Sequence, residues 1–182
     1  MKKAVFILFL IPAWVQANWN LSAGLRLQKS YHWYWENGVT IDFSHTKLFH
    51  QRLHFGVHFL SSSLGSAWGT NAIRQEQYLL FGRYLFLHEK KLHPFIQLNA
   101  GYLFAHYDQS YFSELDNDSP LLSVELGILA NLTSKMDAGI SVGYNAIYGD
   151  GLSGAGTIYP LIYQFTIQYR VFQQNKENHE TH

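Results

Sequence analysis

The strongest constraint on this chain is an alternation of period two that returns eight times between residues 18 and 172. In the first run Trp19, Leu21, Ala23, Leu25 and Leu27 alternate with Asn20, Ser22, Gly24, Arg26 and Gln28. Successive side chains of an extended strand point to opposite faces, so this run has one apolar and one polar wall. The second run sets Val39, Ile41 and Phe43 against Thr40, Asp42 and Ser44, and the third sets Leu53, Phe55, Val57 and Phe59 against His54, Gly56 and His58. The fifth to eighth repeat the device, from Ile96-Leu98-Ala100-Tyr102-Phe104 to Tyr159-Leu161-Tyr163-Phe165-Ile167-Tyr169-Val171.

The fourth run, about residues 73–88, reads in two phases. One faces Leu79, Phe81, Leu85 and Leu87 together with Arg83. The other faces Tyr78, Leu80, Tyr84 and Phe86. An Arg or Lys on a lipid-facing wall costs about 2–4 kcal/mol near the midplane, which favours the second phase, with Arg83 on the polar side.

The connections alternate in expected length. Tight ones fall near Thr46–Gln51, His88–His93 and Thr133–Lys135. Longer ones fall near His32–Asn37, Ser61–Ala72, Asp108–Ser119 and Gly149–Thr157. The expected fold is all-β: an eight-stranded antiparallel up-and-down transmembrane β-barrel over residues 18–172. In lipid every backbone N–H and C=O needs a partner, so a sheet there must close on itself. The short turns and both termini would then be periplasmic and the long loops extracellular. Tyr31, Trp33, Trp35, Tyr107, Tyr111, Tyr148 and Tyr159 would form one aromatic girdle, and Trp19, Phe95 and Tyr169 the other. A secreted lipocalin-like barrel has the same strand count with its apolar face inward, and periodicity alone does not separate the two.

The ends and the composition fit export to a membrane. Lys2 and Lys3 precede the apolar stretch Ala4–Ile11, Pro12 breaks it, and Val15-Gln16-Ala17 offers small residues for cleavage. Residues 1–17 therefore read as a cleaved signal peptide, and residues 173–182 as a polar periplasmic tail. There are no cysteines, so neither a disulfide framework nor a lipid anchor on a cysteine is available. Losing Lys2 and Lys3 turns a neutral chain slightly acidic, which gives no basic stripe for nucleic acid. Aromatic residues make up 16% and charged residues only 14%, well below the roughly 25% of soluble domains.

The chain resembles the small outer-membrane barrels grouped with the OmpA transmembrane domain, OmpW and the opacity proteins. The stretch Tyr84–Leu103, a strand, a tight polar turn and a Pro-Phe strand with a late glycine, carries most of that likeness. The resemblance implies a Gram-negative cell surface and a surrounding of outer-membrane lipid and lipopolysaccharide. It also implies docking to the barrel-assembly machinery through Phe165, Ile167 and Tyr169. Phe172 breaks the alternation of that last strand, and a tail follows it.

A polar network in the lumen is expected from Arg26, Asp42, His54, His58, Arg83, Glu125, Asp137 and Arg170, since buried charges must pair. His54 and His58 share a wall but lie roughly 13 Å apart by strand rise, too far for one metal ion. No metal or other cofactor is expected. The expected role is structural or surface-interacting. Two alternatives are a narrow transporter for small apolar solutes and a lipid A-modifying deacylase or acyltransferase. For the latter, His106 with Asp108 and Ser110 offers a base, an orienting acid and a nucleophile.

Overall fold

The computed structural model describes residues 18–29, 35–48, 52–65, 71–87, 89–107, 117–147 and 160–172. The expected signal peptide and the tail after Phe172 lie outside them, as do Tyr31, Trp33, Tyr111, Tyr148 and Tyr159 of one expected girdle. Eight strands follow in order: β1 (Trp19–Lys29), β2 (Trp35–Leu48), β3 (Leu53–Gly65), β4 (Asn71–Leu85), β5 (Leu92–Tyr107), β6 (Asp118–Asn131), β7 (Met136–Ile147) and β8 (Leu161–Phe172). Each pairs antiparallel with its neighbour in sequence, and β1 pairs with β8, so the sheet is a closed up-and-down barrel. Closure leaves no free sheet edge.

The strands run further than the turn-like composition suggests. β3 continues through Ser61-Ser62-Ser63 to Gly65, and β4 begins at Asn71, so residues 66–70 alone separate them. The expected long loop Ser61–Ala72 is thereby corrected. The ladder partners Ser63↔Arg74 and Gly65↔Asn71 supply backbone hydrogen bonds that outweigh the weak strand preference of serine and glycine. Likewise β2 starts at Trp35, leaving residues 30–34 between β1 and β2. Two connections are markedly long: residues 108–117 and 148–160.

The alternation sorts side chains as the sequence pattern requires, and burial decides which face is which. Leu25, Leu98, Leu122 and Ile140 are each 62% exposed on the outer wall. Arg26, Asp42, His58 and Glu125 are buried in the lumen. The barrel is therefore polar inside and apolar outside, the reverse of the lipocalin-like alternative, and its wall suits hydrocarbon rather than water. β4 takes the phase with Tyr78, Leu80 and Tyr84 outward and Arg83 buried.

Arg83 brings Leu79, Phe81 and Leu85 inside with it, so the lumen is not uniformly polar. Leu85, Phe95 and Leu129 pack together near the β4–β5 turn, and Leu79, Leu103, Ala105 and Leu121 form a second cluster toward the opposite end. Phe95 is thus a lumen residue and not part of an outer girdle, which corrects the expectation for that side chain. Its ring lies over Gly127, where an added Cβ would sit 2.5 Å from Phe95 Cζ. Trp19 and Tyr169 do face outward, with Trp19 stacked on Phe43 at 4.6 Å.

The break at Phe172 is a β-bulge. Trp19 is opposite Phe172 but Asn20 is opposite Arg170, so β8 carries one extra residue, Val171. The bulge shifts the phase at the edge of the barrel, where such irregularities concentrate.

Candidate functional site

Within the lumen, side chains from all eight strands join one network of hydrogen bonds and ion pairs. Arg26 on β1 lies at its centre. Its Nε donates to Gln164 Oε1 on β8 at 2.6 Å, and its Nη2 meets Glu125 Oε1 on β6 at 2.7 Å. Glu125 also accepts from Asn99 Nδ2 on β5 at 3.0 Å and from Ser141 Oγ on β7 at 2.9 Å. Asn99 Oδ1 accepts from Gln97, whose own Oε1 accepts from Arg83 Nε on β4 at 2.7 Å. Arg83 reaches Gln168 Oε1 on β8 at 3.2 Å and stands 3.7 Å from Asp42 Oδ2 on β2. Asp42 is hydrogen-bonded in turn by His58 Nδ1 on β3.

Backbone geometry makes this possible. Inward residues on paired strands stand side by side, as Asp42↔His58, Arg83↔Gln97 and Glu125↔Gly143 do. Gly143 gives Glu125 its room: a Cβ there would lie 2.7 Å from Glu125 Cγ and 2.4 Å from Val124 O. The Arg83 guanidinium also sits over the ring faces of Phe95 (4.8 Å) and Phe81 (5.4 Å), where ring quadrupoles favour a cation.

The eight residues expected in the lumen divide into three groups. Arg26, Asp42, His58, Arg83 and Glu125 form the central network. Asp137 and Arg170 meet near the β6–β7 turn, at 2.7 Å, and Arg170 is only partly buried. Gln168 bridges the two groups through a 3.3 Å bond to Asp137. His54 is buried opposite Arg83 in the ladder.

Glu36 was missed. It is fully buried at the far end of β2, accepts from Ser62 Oγ and from Gln28 Nε2 at 3.1 Å, and Gln28 in turn accepts from Asn145 Nδ2. Extending the phase of Thr40 and Asp42 backward would have found it; placing residues 32–37 in a loop hid it. The amides Gln97, Asn99, Gln164 and Gln168 were also missed as network members, because uncharged side chains give no pairing signal in sequence.

His106 is exposed on the outer wall of β5, opposite Arg74, and does not face the lumen. Asp108 and Ser110 lie outside the described residues. Among the described residues, no three His, Cys, Asp or Glu side chains converge on a point where a metal ion could sit.

A closed, eight-stranded, polar-centred barrel with an apolar wall is the fold of the small outer-membrane β-barrel proteins. Solved structures share it, among them the following three. Neisserial surface protein A aligns over 85% of this chain and 96% of its own, with a TM-score of 0.64 and 14% identity. The outer membrane protein OprG of Pseudomonas aeruginosa aligns over 86% and 97%, at 0.60 and 14%. Ail, the attachment invasion locus protein of Yersinia pestis, aligns over 85% and 97%, at 0.55 and 13%. No protein-family description matches the sequence, and no curated protein does.

Proposed function

We propose that this chain is an outer-membrane barrel whose role is structural or surface-interacting rather than catalytic. In this reading the short turns and both termini face the periplasm and the two long connections face outside. The observation that carries it is the lumen network. Arg26, Asp42, Arg83 and Glu125 neutralise one another across the barrel axis, so the interior acts as a plug that ties the strands together. Contact with other molecules then falls to the ends and the outer wall. Outer-membrane lipid, lipopolysaccharide and the barrel-assembly machinery are the partners this reading implies. The attachment for which Ail is named belongs to that protein and agrees with a role at the ends of such a barrel.

Fractionation of cells expressing the full chain, with gels run boiled and unboiled, tests the reading. Recovery in the outer membrane with a heat-dependent mobility shift is expected; recovery as a soluble periplasmic protein contradicts it. Planar-bilayer recordings then separate a plugged barrel, which stays silent, from a channel, which shows discrete conductance steps. An enzymatic barrel is separated by lipid A mass spectra, which His106→Ala would alter and a non-catalytic barrel would leave unchanged.

A further inference from the structure

The two ends of the barrel carry opposite charge. The short connections and their flanks, residues 46–52, 86–93 and 131–136, hold Lys47, Arg52, Lys90, Lys91 and Lys135 against Glu89 alone. The other four connections, residues 30–34, 66–70, 108–117 and 148–160, hold Asp108, Glu114, Asp116 and Asp150 and no Lys or Arg, and their flanks add Lys29 against Glu36 and Asp118.

At the basic end there is a built recess. It has a volume of about 360 Å³ and is lined by Arg52, Tyr84, Phe86, Leu87, Glu89 and Lys90. Its shape is held by the turn. Leu87 has a φ of 53°, a left-handed conformation that a leucine rarely adopts. Its carbonyl accepts from Lys90 N at 3.0 Å and lies 3.1 Å from the His93 ring nitrogen Nδ1. Leu85 N donates to Arg52 O at 2.7 Å, which fastens the start of β3 to the same turn. The strained turn presents Leu87 and Phe86 outward, 56% and 46% exposed, beside the T-shaped pair of Tyr84 and Phe86. Cations thus stand directly next to outward-facing aromatic and aliphatic groups that continue the apolar wall.

We propose that this recess binds the headgroup of an anionic phospholipid, with Arg52 and Lys90 on the phosphate and Tyr84, Phe86 and Leu87 on the first part of the acyl chains. The inference rests on the reading of the barrel as membrane-spanning. Charge complementarity selects an anionic headgroup. The outward apolar contacts select a lipid over a free phosphate, since inorganic phosphate has nothing to place against Phe86 and Leu87. Aromatic and basic side chains at the depth of the headgroups are how interfacial sites are assembled. Glu89 opposes the binding and sets its strength.

The test is native mass spectrometry of the full-length folded barrel, released from vesicles of equal parts phosphatidylglycerol and phosphatidylcholine, counting retained lipids. Insertion is checked first by heat-modifiable mobility. Wild type should retain phosphatidylglycerol in clear preference. Arg52→Gln and Lys90→Gln should each lower that preference about fivefold, the weight of one cation beside an anionic headgroup. Glu89→Gln should raise it. Lys135→Gln, a rim cation outside the recess, should leave it unchanged. Equal retention of the two lipids by an inserted barrel overturns the inference and leaves the membrane reading standing. An equal loss in Lys135→Gln overturns it in favour of general rim charge. Displacement of the lipid by inorganic phosphate overturns the assignment to a lipid. Failure to insert overturns the membrane reading and this inference together.

Discussion

The outer wall and the lumen are built from alternate residues of the same strands, yet they are stabilised on different terms. On β5, Leu98 is 62% exposed while its neighbours Gln97 and Asn99 are 1% and 2% exposed. Leu98 needs only an apolar solvent around it, and no particular partner. Gln97 and Asn99 need Arg83 and Glu125, which arrive from other strands. The wall is therefore tolerant of exchange among apolar residues, whereas each lumen position depends on the shape and charge of the others.

That contrast can be broken most severely at the network's centre. Glu125→Ala leaves Arg26 buried without its carboxylate and should destabilise the barrel by about 3–5 kcal/mol, measured by urea unfolding in phospholipid vesicles. The paired change Arg26→Met with Glu125→Leu should recover most of that loss, because a buried pair replaced by apolar groups is close to neutral. A double variant as unstable as the single one would show that the charges do more than pair.

On the wall, Leu98→Arg should cost about 2–4 kcal/mol in the same assay, while Leu98→Ile should change stability little. Equal, small effects from both would mean that Leu98 does not face hydrocarbon. Next in size is Gly143→Ala, expected to cost about 1–3 kcal/mol by crowding Glu125 and Val124, even though alanine is apolar and small. The smallest effect belongs to Arg170→Ala. Its pair with Asp137 is partly solvated, so a loss of about 1 kcal/mol or less is expected; a loss matching that of Glu125→Ala would extend the essential network to the rim.

The same contrast explains what the sequence makes legible. Strand number and the division of each run into an apolar and a polar face follow from alternation, because the wall records its environment one residue at a time; which face is inside follows only from burial in the folded barrel. Even Arg83 could be turned inward on the cost of the alternative. Carrying the alternation of β5 one residue back from Ile96 would have placed Phe95 inside; grouping it by aromaticity at a strand end pointed the wrong way. Strand ends were harder, because the serines of β3 look like a loop until Asn71–Arg74 pairs with them. Partners in the lumen were not legible at all. Arg26 and Glu125 are 99 residues apart, on strands that meet only across the barrel interior, and nothing local to either announces the other. Glu36 shows the combined effect, a buried lumen carboxylate with its own partners Ser62 and Gln28, concealed by a strand end placed too late.

The central claim is that the polar face is inside and the apolar face meets lipid. Because the chain has no cysteine, single cysteines can be introduced along β5 at residues 97 to 102 and labelled with a fluorophore before folding into vesicles that contain brominated acyl chains. Quenching should be strong at 98, 100 and 102 and weak at 97, 99 and 101, alternating with period two. The opposite phase would put the apolar face inside, and quenching absent at every position would take the barrel out of the membrane altogether.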